Sequence, residues 1–511
     1  TVAALVVPKA LGYAGIALIP IQNGLYAAAV GAFVYALFGT SRQISTGPSS
    51  ALAAVAASAV VTTAIPAEDA PQLVAAVTLV AGMLFVLLAV FKMGWVSRFL
   101  SKAVITGFLF GAAIEVVVGE LSKLTGTSAT GENTWRKFAD WFGTLDGRHS
   151  TTIVVGLLSL TAILILRFAV PKVPGALVLV VGGLVSSALF DLPDRGVATV
   201  GDVPRGLPAP LLPGVSTFTE DFPTIIVAAV ALLLIGFSQT AGDARMFASR
   251  HGYRVDVNQE STAQGLANIG SGLFQGMPVS TSLSASSLND SAGARTPMAS
   301  IVTAAMVVLT LLIFAPLFSD LPKAVLAAII IDAVVFGMID LPEMRRLWRL
   351  TQVDFWIAVA AIAGVLASGV LAGVVIGMAL SLGWLVYVNA RPSVHELGRL
   401  PQTTTFGSLE DFPDYETTPG VAVLRFDGGL YFVTTEVLTD RLRQRVEGAD
   451  PSVKAVVLDF EAVNFVDSQG VGEIDRLLAA AGERGIDLQF ARTKGNVFDM
   501  LMIDGIVDRL G

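Results

Sequence analysis

The sequence predicts an all-α polytopic membrane domain, about fourteen transmembrane segments as a seven-plus-seven inverted repeat, followed by a C-terminal α/β domain. Three observations predict it. Hydrophobic residues make up 54% of the 511-residue chain and charged residues only 14%, against roughly 25% charged in a soluble globular protein. Apolar runs recur from Thr1 to about Val388. Two short runs broken by Pro and Gly take corresponding places in the two halves of that stretch, the pattern of transporters built from inverted repeats around a midplane site.

Breaking the chain at Pro, Gly and charge clusters, and keeping stretches that approach the ~30 Å hydrocarbon thickness, places the first set of segments at residues 2–20, 24–39, 46–65, 72–93, 96–121, 152–170 and 174–192. The second set falls at 223–248, 258–276, 280–293, 296–316, 322–341, 353–368 and 369–388. The transport domain therefore covers 1–388. The chain opens at Thr1 inside an apolar run without an initiator Met, so a short native N-terminus is expected before it, and no signal peptide is legible.

Basic residues orient the segments. With the N-terminus cytoplasmic, that side holds Arg42, Lys92, Arg98, Lys102, Arg167, Lys172, Arg245, Arg250, Arg254, Arg295, Arg345, Arg346 and Arg349. The opposite side holds fewer: Lys123, Arg136, Lys137, Arg148, Arg195, Arg205 and Lys323. This follows the positive-inside rule. An even number of spans then puts Arg391 and everything after it in the cytoplasm, and the expected location is the cell's inner membrane.

Other classes lack their signatures. A net charge of -8 leaves no basic footprint for nucleic acid. The absence of cysteine excludes disulfides and thiol chemistry, and His149, His251 and His395 are too few for a metal cluster. There is no nucleophile–His pair and no phosphate-binding glycine loop after a strand, so an enzyme is not expected. No cofactor is expected beyond a coupling ion.

The third and tenth segments are not ordinary spans. In the third, Ile44-Ser45-Thr46-Gly47-Pro48-Ser49-Ser50 precedes an apolar stretch, 51–65, that reaches only about 22 Å as a helix. In the tenth, Met277-Pro278-Val279-Ser280-Thr281-Ser282-Leu283-Ser284 leads into a run containing Asn289 and Asp290, which lipid rejects. A half-helix that starts near mid-membrane presents unpaired N–H groups and the positive end of its dipole. The hydroxyls of Ser49, Ser50, Ser282 and Ser284 add donors, so the pair favours an anion. Irregular backbone at that depth is tolerated only where it lines a cavity. The competing reading makes these serines and prolines packing and kink residues of ordinary helices; the matched pair weighs against it.

The residues Pro8-Lys9-Ala10-Leu11-Gly12-Tyr13-Ala14, Asn23-Gly24-Leu25-Tyr26, Gly39-Thr40-Ser41-Arg42 and Gly47-Pro48 resemble the sulfate permease (SulP) family, whose animal relatives include pendrin and prestin. Gly252-Tyr253-Arg254-Val255-Asp256-Val257-Asn258-Gln259-Glu260 and Gly293-Ala294-Arg295-Thr296 are similar to the same family, and order and spacing match over nearly the whole chain. The resemblance implies fourteen spans in core and gate bundles, anion transport by alternating access, a place for Tyr13 in the substrate site, and a homodimer whose cytoplasmic C-terminal domains contribute to the interface.

After a polar linker at 389–419, apolar runs at 421–426 and 455–460 alternate with helical patterns at 434–446 and 470–481. A strand at 486–490 and a helix near 497–502 complete a small α/β unit over 420–511. Its turn Val466-Asp467-Ser468-Gln469-Gly470 resembles the Asp-Ser-x-Gly loop of the STAS domain. In bacterial anti-sigma antagonists the matching Ser is phosphorylated, which makes Ser468 a regulatory candidate. The preferred reading is that Ser468 caps the helix. The family normally continues beyond this point into a last strand and helix, so part of the domain is expected beyond Gly511.

Departures from the family are informative. Many members carry an Arg in the tenth segment where this chain has Ala285, and often a Glu in the eighth where it has Gln239. Losing both avoids leaving one buried charge unpaired. Lys9, where many relatives have Gln, and Asp243, one turn after Gln239 on the same helix face, are the candidate replacements: Lys9 for the anion, Asp243 for a coupled ion. Their plainer alternatives are a lysine snorkelling to the membrane edge and an aspartate paired with Arg245. Glu115 and Asp332 also lie in spans, but no pattern connects them with the site. Gly107 and Gly111, and Gly369, Gly373 and Gly377, have the small-xxx-small spacing of close helix packing.

Together these features predict a secondary carrier of a small anion. Sulfate is first, bicarbonate or a small dicarboxylate next, with H⁺ or Na⁺ symport preferred because the anion enters against an inside-negative potential. The alternatives are a nucleobase carrier of the same architecture, against which the Ser-rich helix starts argue, and an anion-sensing STAS signalling protein.

Overall fold

Apolar runs become helices here because lipid offers the backbone no other partner for its polar groups. In the computed structural model, which describes residues 2–93, 101–127, 134–144, 149–170, 173–447 and 453–510, the first half begins with α1 (Val2–Ile16) and α2 (Ile21–Phe38), then a short strand β1 (Thr46–Pro48) and α3 (Ser50–Thr63). After these come α4 (Ala70–Val90), α5 (Lys102–Thr125), α6 (Thr134–Gly143), α7 (Ser150–Ala169) and α8 (Gly175–Phe190). The second half has α9 (Val215–Glu220), α10 (Phe222–His251), α11 (Val257–Leu273), strand β2 (Val279–Thr281), α12 (Leu283–Ser291) and α13 (Met298–Leu309). It ends with α14 (Lys323–Met338), α15 (Leu341–Leu350), α16 (Gln352–Ser368) and α17 (Val370–Asn389).

Among the described residues, 8 stretches are long and apolar enough to cross a membrane, those of α2, α4, α5, α7, α10, α13 with its continuation to Asp320, α14 with α15, and α17. Four further helices, α1, α3, α8 and α16, are apolar but shorter. The first residues of the expected fifth segment, 96–100, lie outside the described residues, as do Arg98, Arg148 and Lys172 of the charge count. Leu158, Ile165 and Phe168 on α7 and Val181, Val185 and Leu189 on α8 are exposed, a face suited to lipid and not to water. After α13 the chain widens at Thr310–Phe314 and tightens at Ala315–Asp320, where Pro316 has no N–H to continue a regular helix.

Small residues set the packing of α5, α16 and α17. A Cβ on Gly107 would overlap the Ala358 carbonyl, one on Gly111 would lie 2.7 Å from the Val365 Cβ, and one on Gly377 2.7 Å from Val104. Gly369 belongs to a different category from Gly373 and Gly377. It breaks the chain between α16 and α17 at φ +86°, a conformation open to glycine alone.

The chain divides into two units, Thr1–Ser381 and Leu382–Gly511. The second contains β3 (Ser393–Arg399), β4 (Phe406–Ser408), β5 (Val421–Asp427), α18 (Thr435–Glu447), β6 (Ala455–Asp459), α19 (Ser468–Glu483), β7 (Asp487–Ala491), α20 (Gly495–Ile503) and α21 (Ile506–Leu510). Its sheet order is β4-β3-β5-β6-β7, with β5, β6 and β7 parallel and β3 antiparallel to its neighbours. Alternate residues Ala422, Leu424 and Phe426 of β5 enter the core with Val456, Leu458 and Ile474. The segment expected as linker, 389–419, instead supplies β3 and β4. β3, between β4 and β5, carries polar residues such as His395 and Glu396, and β4 is a three-residue strand at the sheet edge, so no continuous apolar run announces them.

Candidate substrate site at the paired helix starts

The approaches to α3 and α12 meet. β1 and β2 pair antiparallel, Thr46 opposite Thr281, Gly47 opposite Ser280 and Pro48 opposite Val279. Every residue of both strands is buried, so their backbone groups need partners inside the protein. α11 provides several: Asn268 accepts from the Val279 amide and donates to its carbonyl at 3.0 Å each, Gln264 donates to the same carbonyl at 2.6 Å, and Ser271 donates to the Met277 carbonyl at 2.6 Å. From the other side, Ser286 accepts from the Ser45 amide and Asn289 donates to the Gln43 carbonyl. This explains Asn289 in a segment that lipid would refuse. Asp290 is held by Arg250 at 3.1 Å and His251 at 2.6 Å from the last turn of α10.

The helices that follow the strands are short, 14 residues in α3 and 9 in α12, or about 21 and 13 Å. Their first-turn amides have no carbonyl one turn back to bond. A cavity of about 910 Å³ lies against these starts, lined by Lys9, Tyr13, Ser49, Ser50, Gln239, Asp243, Thr281, Ser282 and Ser284, together with Arg167, Asp332 and Phe336.

The site residues expected from sequence meet in this region with defined partners. Lys9 Nζ donates to Ser284 Oγ at 2.9 Å, so its amine turns to the start of α12. Asp243 Oδ2 accepts from Thr281 Oγ1 at 2.7 Å, and Gln239 Oε1 accepts from Ser280 Oγ at 2.8 Å. Asp243 is therefore tied to β2 and not to Arg245. Ser49 stands at the N-cap of α3 without a side-chain cap bond, whereas Ser282 caps α12 by accepting from the Ala285 amide at 3.4 Å. Ala285 is buried and, with Lys9, Thr46 and Ser282, lines a separate space of about 20 Å³, roughly the size of one water.

Two cavity residues were not expected. Arg167, counted from sequence with the loops, lies in the last turn of α7, and Asp332 lies on α14; Nε and Nη2 of the arginine donate to Oδ1 and Oδ2 at 2.6 Å each. The arginine lies over the Phe336 ring, 4.4 Å from its centroid. Asp332 was visible as a charge in an apolar helix, and Arg167 only as a basic residue of the cytoplasmic side. Their pairing was not, because 165 positions separate them.

Another junction explains two of the sequence motifs. Glu260, fully buried, accepts from the Thr40 amide at 2.7 Å, the Ser41 amide at 2.9 Å and the Tyr35 hydroxyl. Tyr253 O–H contacts Ser41 at 3.0 Å and Gln43 at 2.9 Å, with Arg42 over its ring. The Gly39–Arg42 and Gly252–Glu260 motifs thus anchor the chain that enters β1. In the second unit, Ser468 is exposed at the first position of α19, and the cap is Asp467, whose Oδ1 accepts from the Gly470 amide at 2.7 Å. The capping role expected of Ser468 belongs to Asp467, which sits one residue earlier in extended backbone.

Residues 1–361 match the model of the sulfate permease family, and residues 412–510 match the STAS domain. A "probable sulfate transporter" of Mycobacterium tuberculosis is 32% identical over 514 residues, covering 100% of this chain and 91% of the relative. The structure superimposes on the inward-facing state of the murine Solute Carrier 26 family member A9 anion transporter with TM-score 0.91 at 20% identity, covering 99% of this chain and 86% of that one. It also matches the transmembrane domain of a cyanobacterium bicarbonate transporter, BicA, with TM-score 0.62 at 22% identity over 75% and 95% of the two chains.

Proposed function

The chain belongs to the sulfate permease family, and from that premise we propose that it is a multi-pass secondary carrier of a small anion, sulfate first and bicarbonate or a small dicarboxylate next. One observation carries the assignment of the site: the β1–β2 pair joins two half-helix starts at the wall of one cavity, with Lys9 beside them. Helix starts that present free amides and a positive dipole end attract an oxyanion. Ser49, Ser50, Ser282 and Ser284 add hydroxyls, Tyr13 closes one wall, and Ala285 leaves open the place where many relatives put an arginine. The relatives named as sulfate transporters favour sulfate as the substrate.

Asp243, beside Gln239 and bonded to Thr281, is the proposed seat of a coupled H⁺ or Na⁺. Alternating access moves the helix-start bundle against the bundle containing α7 and α14, in a fourteen-span, seven-plus-seven inverted repeat. The N-terminus and the STAS domain face the cytoplasm, and the working unit is a homodimer. Ser468, exposed at a helix start, is the proposed site of regulatory phosphorylation in that domain.

Proteoliposomes carrying the protein are expected to take up labelled sulfate, bicarbonate or fumarate, with a rate that rises when an inward H⁺ or Na⁺ gradient is imposed. Protein-containing vesicles that take up none of the three anions refute the carrier reading. Uptake that is indifferent to both gradients refutes the coupling.

A further inference from the structure

Among the described residues, four charged side chains line the cavity: Lys9 and Asp243 near the helix starts, and Arg167 with Asp332 on α7 and α14. The last two have no role in the reading above. Asp332 is 7% exposed among the buried Ile329, Ile330 and Ile331, whereas 37% of the Arg167 side chain remains accessible. The carboxylate is thus the fixed member of the pair and the guanidinium the one that meets the cavity. A buried ion pair seldom stabilises a fold relative to an apolar replacement. Ionisable groups within spanning segments are accordingly read first as functional.

The geometry says what this pair can do. Of the five N–H donors of a guanidinium, those on Nε and one on Nη2 are taken by the two carboxylate oxygens. Phe336 covers one face of the plane, and Phe168 packs edge-on against Phe336 at 5.7 Å. The arginine is therefore held at one edge and one face. Its Nη1 makes no hydrogen bond among the described residues, and it is a planar donor suited to an oxyanion. The cavity consequently offers two cationic contacts from separate elements, Lys9 on α1 and Arg167 on α7.

Building on the carrier reading, we propose that Arg167, positioned by Asp332 and Phe336, is a second anion contact that selects a doubly charged oxyanion such as sulfate or a small dicarboxylate over a singly charged one. A monoanion satisfies one cation; a dianion with oxygens at both ends satisfies Lys9 and Arg167 together. Asp332 holds the arginine in place, and its charge keeps a monoanion from gaining full benefit from Arg167 alone.

The test is selectivity in proteoliposomes of the full chain: inhibition of labelled-sulfate uptake by unlabelled sulfate and by nitrate. The double substitution Arg167→Gln/Asp332→Asn removes both charges without stranding either and retains a hydrogen-bonding pair. It is expected to lower apparent sulfate affinity relative to nitrate by tenfold to a hundredfold, the worth of one charge-assisted contact. Should sulfate uptake by the variant be too slow to follow, sulfate and nitrate binding to purified protein give the same ratio. Arg167→Lys, which keeps the charge but loses the fork, is expected to recover part of the preference. An unchanged sulfate-to-nitrate ratio in the double variant overturns the inference and leaves a structural pin between α7 and α14. Wild-type protein that carries nitrate but no dianion also overturns it, whereas wild-type protein that carries no anion at all sinks the carrier reading itself.

Discussion

Replacing Lys9 with Gln isolates the contribution of one charge at the helix starts. The amine lies 2.9 Å from the Ser284 hydroxyl in the first turn of α12, so an anion bound at that turn comes within about 4 to 5 Å of it. At an effective dielectric near 20, a unit pair at this distance is attracted by about 4 kcal/mol. Desolvation leaves about 1.5–3 kcal/mol for a charge-assisted contact, or roughly tenfold to a hundredfold in Kd. The fold has little at stake, because Ser284 is exposed to the cavity and water replaces the lost donor. Calorimetric titration of sulfate into purified protein should therefore show weakened binding by Lys9→Gln with thermal unfolding essentially unchanged, and Lys9→Arg should retain most of the affinity. A Lys9→Gln protein that binds sulfate within twofold of wild type refutes the reasoning, and the amide dipoles then hold the anion without a side-chain charge.

Asp243→Asn keeps an acceptor for the Thr281 hydroxyl but removes the charge; accumulation driven by H⁺ or Na⁺ should be abolished while downhill anion exchange continues, and a variant that still accumulates substrate places coupling elsewhere. Gly107→Ala pushes a methyl into the Ala358 carbonyl and should cost about 1–3 kcal/mol by overpacking α5 against α16, read as an earlier thermal unfolding transition; an unchanged transition means that the helices separate freely. Asp467→Ala removes the cap of α19 and should cost roughly 0.5–2 kcal/mol in the C-terminal unit, whereas Ser468→Ala should be close to neutral in denaturant unfolding. Equal losses from the two substitutions would reassign the cap.

Local signals carried much of the architecture. Apolar runs of spanning length identified the membrane helices because a chain in lipid has to satisfy its own backbone. The Pro and Gly near positions 47 and 278 marked where that rule is broken, and the alternation of strand and helix patterns after 420 marked the α/β unit. Residue type at those breaks also indicated an anion, since serines ahead of a short helix add donors to donors. Ser284 was legible as one of these serines, and Lys9 and Asp243 as charges within apolar spans. Gln239, and the nearness of Lys9 to the site, came from comparison with the sulfate permease pattern and not from the residues alone.

What only the tertiary structure decided is which polar group satisfies which. A charge in an apolar helix announces that it needs a partner, but periodicity reaches only a few residues and does not name one. Asp332 finds Arg167, Asp290 finds Arg250 and His251, and Glu260 finds Tyr35, Thr40 and Ser41. The β1–β2 pairing is of the same kind. Its strands are too short to show alternation, and they form because two distant chain crossings satisfy one another where water is absent. β3 and β4 escaped notice for a related reason, since a strand rich in polar residues and a three-residue edge strand acquire their meaning only from the sheet they join.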